Sequence, residues 1–220
     1  FQDYPYDLFG VANKKLQIIK SDLITSDDYR YNDIEALQIF FSKAGYYTDD
    51  VLYDLLRADS ILPNTAYINC EIARCYSERP EPDTAKALKY FRKSMQLAPT
   101  WPFPHLIAGL LYMDLNMYPE AKVAFEKALS IKSDFKLALI NTGVLYSRLK
   151  DDDKEISYYR KALEISKPES QVLYSNIGLF WKNKEMYDSA IYYQRKGYQS
   201  NPENIYTLSG LINSFIKFKQ

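Results

Sequence analysis

Between Pro102 and Phe135 apolar and polar positions alternate with a period of three to four residues, in two successive runs. Small residues stand at Ala108, Gly109, Ala121 and Ala128, and large apolar ones at Tyr112, Tyr118 and Phe125. This arrangement predicts two short amphipathic helices joined by a tight turn. The small residues fall where two helix axes must approach closely, and the aromatic rings fill the space between them. Thirty-four residues further on the positions recur: Gly109 becomes Gly143, Tyr112 becomes Tyr146, Phe125 becomes Tyr159 and Ala128 becomes Ala162. Self-similarity at such a period is the mark of a helical solenoid, in which each unit buries its apolar face only against its neighbours.

The small-residue and aromatic set at this spacing resembles the tetratricopeptide repeat family. The resemblance covers most of residues 32–204 and implies an all-α fold: a right-handed α-solenoid of antiparallel helix pairs. Five units are expected. The first, 32–65, is placed by working back from Pro63 and is degenerate, with Ile39 at the usual glycine position and Val51, Leu55 and Ala58 at the later small and aromatic positions. The second, 66–99, carries Ala73, Tyr76, Ala87, Phe91 and Ser94. From Ala73 to Ala87 is 14 residues where the unit has 12, so two extra residues are expected in the stiff turn from Glu78 to Asp83. The third is 102–135. The fourth, 136–169, has Glu155 where the family has a small residue, and its closing Pro168 comes one position late. The fifth, 171–204, keeps Gly178, Trp181, Tyr187, Ala190, Gly197 and Pro202 but has Gln194 where an aromatic belongs. Residues 1–31 read as a helical extension with an aromatic start, and 205–220 as a capping helix with Ile205, Leu208, Leu211, Ile212, Phe215 and Ile216 on one side.

Composition narrows the function. Lys and Arg total 28, as do Asp and Glu, so no net field draws the chain to nucleic acid or to an anionic membrane. The 21 Tyr and 11 Phe beside only 7 Gly suit helices packed through large rings. Cys70 and Cys75 lie five apart on one expected helix, which turns one thiol away from the other and argues against a disulfide or a shared metal. No apolar run is long enough to insert in a bilayer. The chain begins at Phe1, and the expectation is a processed or excised piece of something longer. The compartment stays open between the cytoplasm and the soluble domain of a membrane-associated chain.

Catalytic chemistry finds little footing. The single histidine, His105, has no Ser, Cys or acidic partner at a spacing that would make it a base. Neither a phosphate loop nor a Cys/His metal pattern occurs, so no enzyme, cofactor or metal is expected. The run Asp151-Asp152-Asp153 reads as a solvated turn that caps the following helix. Function is then expected from surface. The resemblance implies that the first helix of each unit lines a concave face through repeat positions 2, 5, 9, 12 and 13. Those positions are Phe103, Leu106, Leu110, Met113 and Asp114 in the third unit; Leu137, Ile140, Val144, Ser147 and Arg148 in the fourth; and Val172, Ser175, Leu179, Lys182 and Asn183 in the fifth. The expectation is an apolar groove that holds a hydrophobic or amphipathic segment of a protein partner, rather than the carboxylate clamp of the family's chaperone-binding members. Two alternatives stay open: a regulatory or substrate-presenting domain of a larger enzyme or membrane protein, and a piece that self-associates through its apolar end helices.

Overall fold

The computed structural model describes residues 49–61, 64–165 and 170–219. The expected N-terminal extension, residues 32–48, Pro63 and Pro168 lie outside them. Every regular element among the described residues is an α-helix: α1 (Asp49–Ile61), α2 (Ala66–Glu78), α3 (Thr84–Leu97), α4 (Phe103–Asp114), α5 (Tyr118–Ile131), α6 (Lys136–Arg148), α7 (Asp152–Glu164), α8 (Gln171–Asn183), α9 (Tyr187–Ser200) and α10 (Ile205–Phe218). The chain forms two compact units, one ending at Ser94 and one beginning at Met95.

In the first unit α1 packs on α2. Residues 68 to 76 of α2 are buried without a break. Ser94 Oγ donates to the Ala66 carbonyl at 2.7 Å, and the rings of Tyr76 and Tyr90 stack with centroids 5.8 Å apart, tying α3 back along α2. Lys93 Nζ reaches the Asp59 carboxylate at 3.4 Å, joining α3 to α1.

The second unit is a run of antiparallel pairs, α4 with α5, α6 with α7 and α8 with α9, followed by α10 against α9. Each pair closes over a glycine. A Cβ placed on Gly109 would stand 2.5 Å from Phe125 Cε1, and one on Gly143 would stand 2.4 Å from Tyr159 Cε1. Phe125 and Tyr159 are themselves fully buried, so the ring of the second helix lies flat on the bare backbone of the first. The third pair has Gly178 over the side chain of Gln194 instead. Between pairs, Leu139 and Ile140 of α6, Tyr159 and Ala162 of α7, and Leu173 and Ile177 of α8 form one apolar cluster.

The turns repeat as faithfully as the helices. Asn116, Lys150 and Glu185 all take a left-handed backbone, with φ of 57°, 58° and 60°. After each, the next residue's amide donates to the carbonyl of Tyr112, Tyr146 or Trp181 at 2.8 to 3.0 Å, a helix-ending arrangement for which glycine is the usual choice. Here Asn, Lys and Glu serve. In the first unit the equivalent carbonyl, on Tyr76, takes its hydrogen bond from Asp83, seven residues on instead of five. Those are the two inserted residues, held in the expected turn. Asp151 caps α7 as expected, its carboxylate accepting from the Lys154 amide at 3.2 Å.

Two outcomes follow for stability. Gly109→Ala forces a methyl into the Phe125 ring and should cost about 1–3 kcal/mol, whereas Gly210→Ala meets only ordinary contact at 3.4 Å and should gain roughly 0.5–1 kcal/mol from helix propensity. Urea melts in which both substitutions shift the midpoint in the same direction would contradict this account of the pair. Lys150→Gly removes left-handed strain at a non-glycine residue and should raise stability by roughly 0.5–1 kcal/mol, against no gain for glycine at the helical Lys161.

Candidate functional site

The candidate surface is built from the first helix of each pair in the second unit, and the structure divides it. Phe103, Leu106 and Ile140 are buried, Leu106 at 1% exposure and Ile140 at 5%. They belong to the core and are unavailable as a groove lining, which corrects the expectation for those three. The reason is geometric. Position 5 of the unit faces inward, where Ile140 packs in the cluster with Leu173 and Ile177 of the next pair's first helix. Phe103, at position 2 of α4, is buried as well, whereas position 2 of the next two units and position 9 of the last turn outward. Leu137, Val172 and Leu179 are exposed at 45%, 58% and 47%, while Leu110 and Val144, the other two residues at position 9, are half-buried. Met113 and Lys182 at position 12 are also half-buried, and Arg148 at position 13 is exposed. What remains is a narrower stripe: apolar at Leu110, Leu137, Val144, Val172 and Leu179, with cations at Arg148 and Lys182. Lys182 also borders a cleft of about 330 Å³ that it shares with Glu185, Tyr187, Asn213 and Lys217, between the end of α8 and α10.

Titratable groups outside the stripe are engaged in structure. His105 is pushed below its ordinary range by burial and secondarily by the nearby Lys127 charge. Cys70 and Cys75 are free and buried; burial raises Cys70 well above the usual thiol range and Cys75 to about 12, leaving both unreactive at neutral pH. Glu155 is buried where the units on either side have alanine, and burial raises its carboxyl, opposed by the nearby Ser147 and Tyr159 hydroxyls. The sequence pairs the two changes: Ala121 and Phe125 of one unit become Glu155 and Tyr159 of the next, which adds a carboxylate and a hydroxyl one helical turn apart. Among the described residues no group of three or more His, Cys, Asp or Glu side chains is placed to hold a metal ion. No helix among them is long and apolar enough to cross a membrane.

Sequence reasoning missed one buried charge cluster. Glu71, 1% exposed, lies 3.5 Å from Arg74 Nη1, and Arg74 Nε donates to Glu78 at 3.1 Å. Burial lifts the Glu71 carboxyl to about 7, with Arg74 opposing and Glu78 assisting the rise. The helical spacing of three and four residues was the available signal, but it reads equally well as a solvated stripe.

The tetratricopeptide repeat family model matches residues 105–135 and 138–168. Anaphase-promoting complex subunit 3 of Schizosaccharomyces pombe is 27% identical over 127 residues, 57% of this chain and 19% of that subunit. The match thus spans about a fifth of the curated relative's length. Among solved structures, the APC/C hetero-tetramer Cut9-Hcn1 superposes with a TM-score of 0.72 at 17% identity, covering 94% of this chain and 40% of that one. YrrB, described as a TPR protein with an unusual peptide-binding site, superposes with a TM-score of 0.57 at 20% identity, covering 75% of this chain and 84% of that one. These likenesses bear out the all-α solenoid fold and the family resemblance on which it was expected.

The Glu71 cluster sets a pH dependence. Because its folded pKa lies above the unfolded value of 4.5, the native state holds the extra proton between the two. Stability should therefore fall as pH rises from about 4.5 to about 7, by roughly 3 kcal/mol, and level off above that. Glu71→Gln should flatten the slope; chemical denaturation at pH 5 and pH 8 in which wild type and variant lose the same stability would rule the cluster out as its source.

Proposed function

We propose that this chain, which carries tetratricopeptide repeats, is a non-enzymatic protein-interaction scaffold that holds an apolar segment of a partner protein along the first helices of its second unit. The carrying observation is the set of large apolar side chains left exposed at repeat positions 2 and 9: Leu137, Val172 and Leu179. Ile140, at position 5 of α6, is packed away, so the exposed residues are not a failure of the core to close. Large apolar side chains recurring at equivalent positions of successive units form a patch, which a chain in water retains where something docks on it.

The occupant is an amphipathic helix or extended strand with two or three large apolar anchors and at least one acidic residue. Anchors at the spacing of successive units match Val144 and Leu179, a further one matches Leu137 two turns before Val144 on α6, and the acid answers Arg148 and Lys182. Each anchor contributes about 1.5–3 kcal/mol of transfer free energy, part of which offsets ordering of the bound segment. The scaffold itself pays little of that cost, because the helix pairs are fixed by their own cores. His105, both cysteines and Glu155 are each held by packing among the helices.

A displayed library of random peptides, selected on the chain, should enrich sequences that mix large apolar and acidic residues. Leu137→Glu with Leu179→Glu should weaken their binding at least tenfold while leaving the circular dichroism spectrum and melting temperature near wild type. Leu106→Glu or Ile140→Glu should instead unfold the second unit, since each drives a charge into the core. Equal capture by wild type and the Leu137/Leu179 variant would remove the stripe from the binding surface.

A further inference from the structure

The apolar residues of the stripe stand in two ridges. Leu137 and Val144 are seven residues apart on α6, and Val172 and Leu179 are seven apart on α8. Seven residues make two helical turns, so the members of each pair lie on one side of their helix, about 10 Å apart along it. Between the ridges the floor is low, because Ile140 is buried and Ser175 is short and half-buried. A trough of that width matches the roughly 10–12 Å diameter of an α-helix with its side chains. A single extended strand, about 5 Å across, would leave half of it to water.

The repeat in the other direction selects the same shape. α6 and α8 share a core cluster through Ile140, Leu173 and Ile177, and helices in such contact lie about 8–10 Å apart. An occupant that crosses both must bring an apolar residue back to the same side at that interval. Seven residues of α-helix advance about 10.5 Å and return to the same face. Same-face residues of a strand fall about 6.7 or 13 Å apart and miss it either way. Cations then mark one edge: Arg148 is four residues beyond Val144, and Lys182 three beyond Leu179. Nearby Lys154 and Lys184 are paired with Asp151 and Asp152, whereas among the described residues neither Arg148 nor Lys182 joins an ion pair. Resting on the reading of this stripe as the binding surface, we infer that its occupant is an α-helix of a partner protein laid across α6 and α8. Large apolar residues recur every seven positions on its underside, and acidic residues recur at the same interval along the edge that meets Arg148 and Lys182. The apolar underside supplies affinity, and the charged edge fixes which way the helix is rotated about its axis.

Two synthetic peptides of identical composition, built from Leu, Glu, Ala and Lys and titrated calorimetrically into the whole chain, test this. In one, Leu and Glu each recur every seven residues on adjoining faces of a helix; in the other, the same residues alternate as in a strand. The helical peptide should bind at least tenfold more tightly, and a proline at its centre should cost it that advantage. Arg148→Glu with Lys182→Glu should weaken it about tenfold, and exchanging its edge Glu residues for Lys should restore binding to that variant. An alternating peptide that binds as tightly, and is lost with Leu137→Glu and Leu179→Glu, would keep the stripe as a binding surface but overturn its assignment to a helix. Binding of either peptide that ignores the Leu137/Leu179 variant would remove the stripe itself. Failure of both peptides to bind, or helical binding indifferent to the charge exchange, would overturn the inference as well.

Discussion

The structure depends on how closely the two helices of each pair can approach. Gly109 over Phe125 and Gly143 over Tyr159 set that distance, because a single methyl group at either glycine would overlap the ring by about an ångström of ordinary contact distance. The ring, the missing side chain and the short turn that returns the chain form one mechanical unit. Once the pair is locked, its outer residues have only the next pair to pack against. That is why the cluster of Leu139, Ile140, Leu173 and Ile177 bridges two units rather than filling one. Repetition of the pair in the second unit brings equivalent side chains to the surface of successive helices.

The departures from the repeat show how the chain accommodates change. Where alanine becomes Glu155, the neighbouring aromatic becomes Tyr159, and Ser147 and Tyr159 oppose the rise that burial imposes on the carboxyl. Where the aromatic becomes Gln194, the following helix turns Thr207 and Ser214 inward. Thr207 and Leu211 stand where Leu173 and Ile177 stand in α8, so α10 turns the same face toward the pair before it.

The fold class and the family resemblance were legible in the sequence because both rest on spacing. Recurrence of Gly, Tyr and Ala at 34 residues survives even where individual members are replaced. The two-residue insertion before Asp83 and the capping role of Asp151 were legible for the same reason: each is a matter of counting along the chain and of local chemistry. The candidate surface was legible only by position. The family's rule selects by position and could not separate Leu106 and Ile140, which are buried, from Leu137 and Leu179, which are not. All four are large aliphatic residues on the same helix type, so hydropathy assigns them the same role.

The sequence by itself determined that this chain folds as helix pairs, where each pair turns, and that its charged residues balance. Those properties follow from periodicity, turn chemistry and composition, which act over a few residues at a time. Only the tertiary structure decided which apolar side chains face water, that Glu71 is buried with Arg74, and that α10 shows its aliphatic side outward. Burial depends on what an adjacent helix places opposite a residue, and that neighbour lies up to 36 positions away in the chain, as between Gln171 and Thr207.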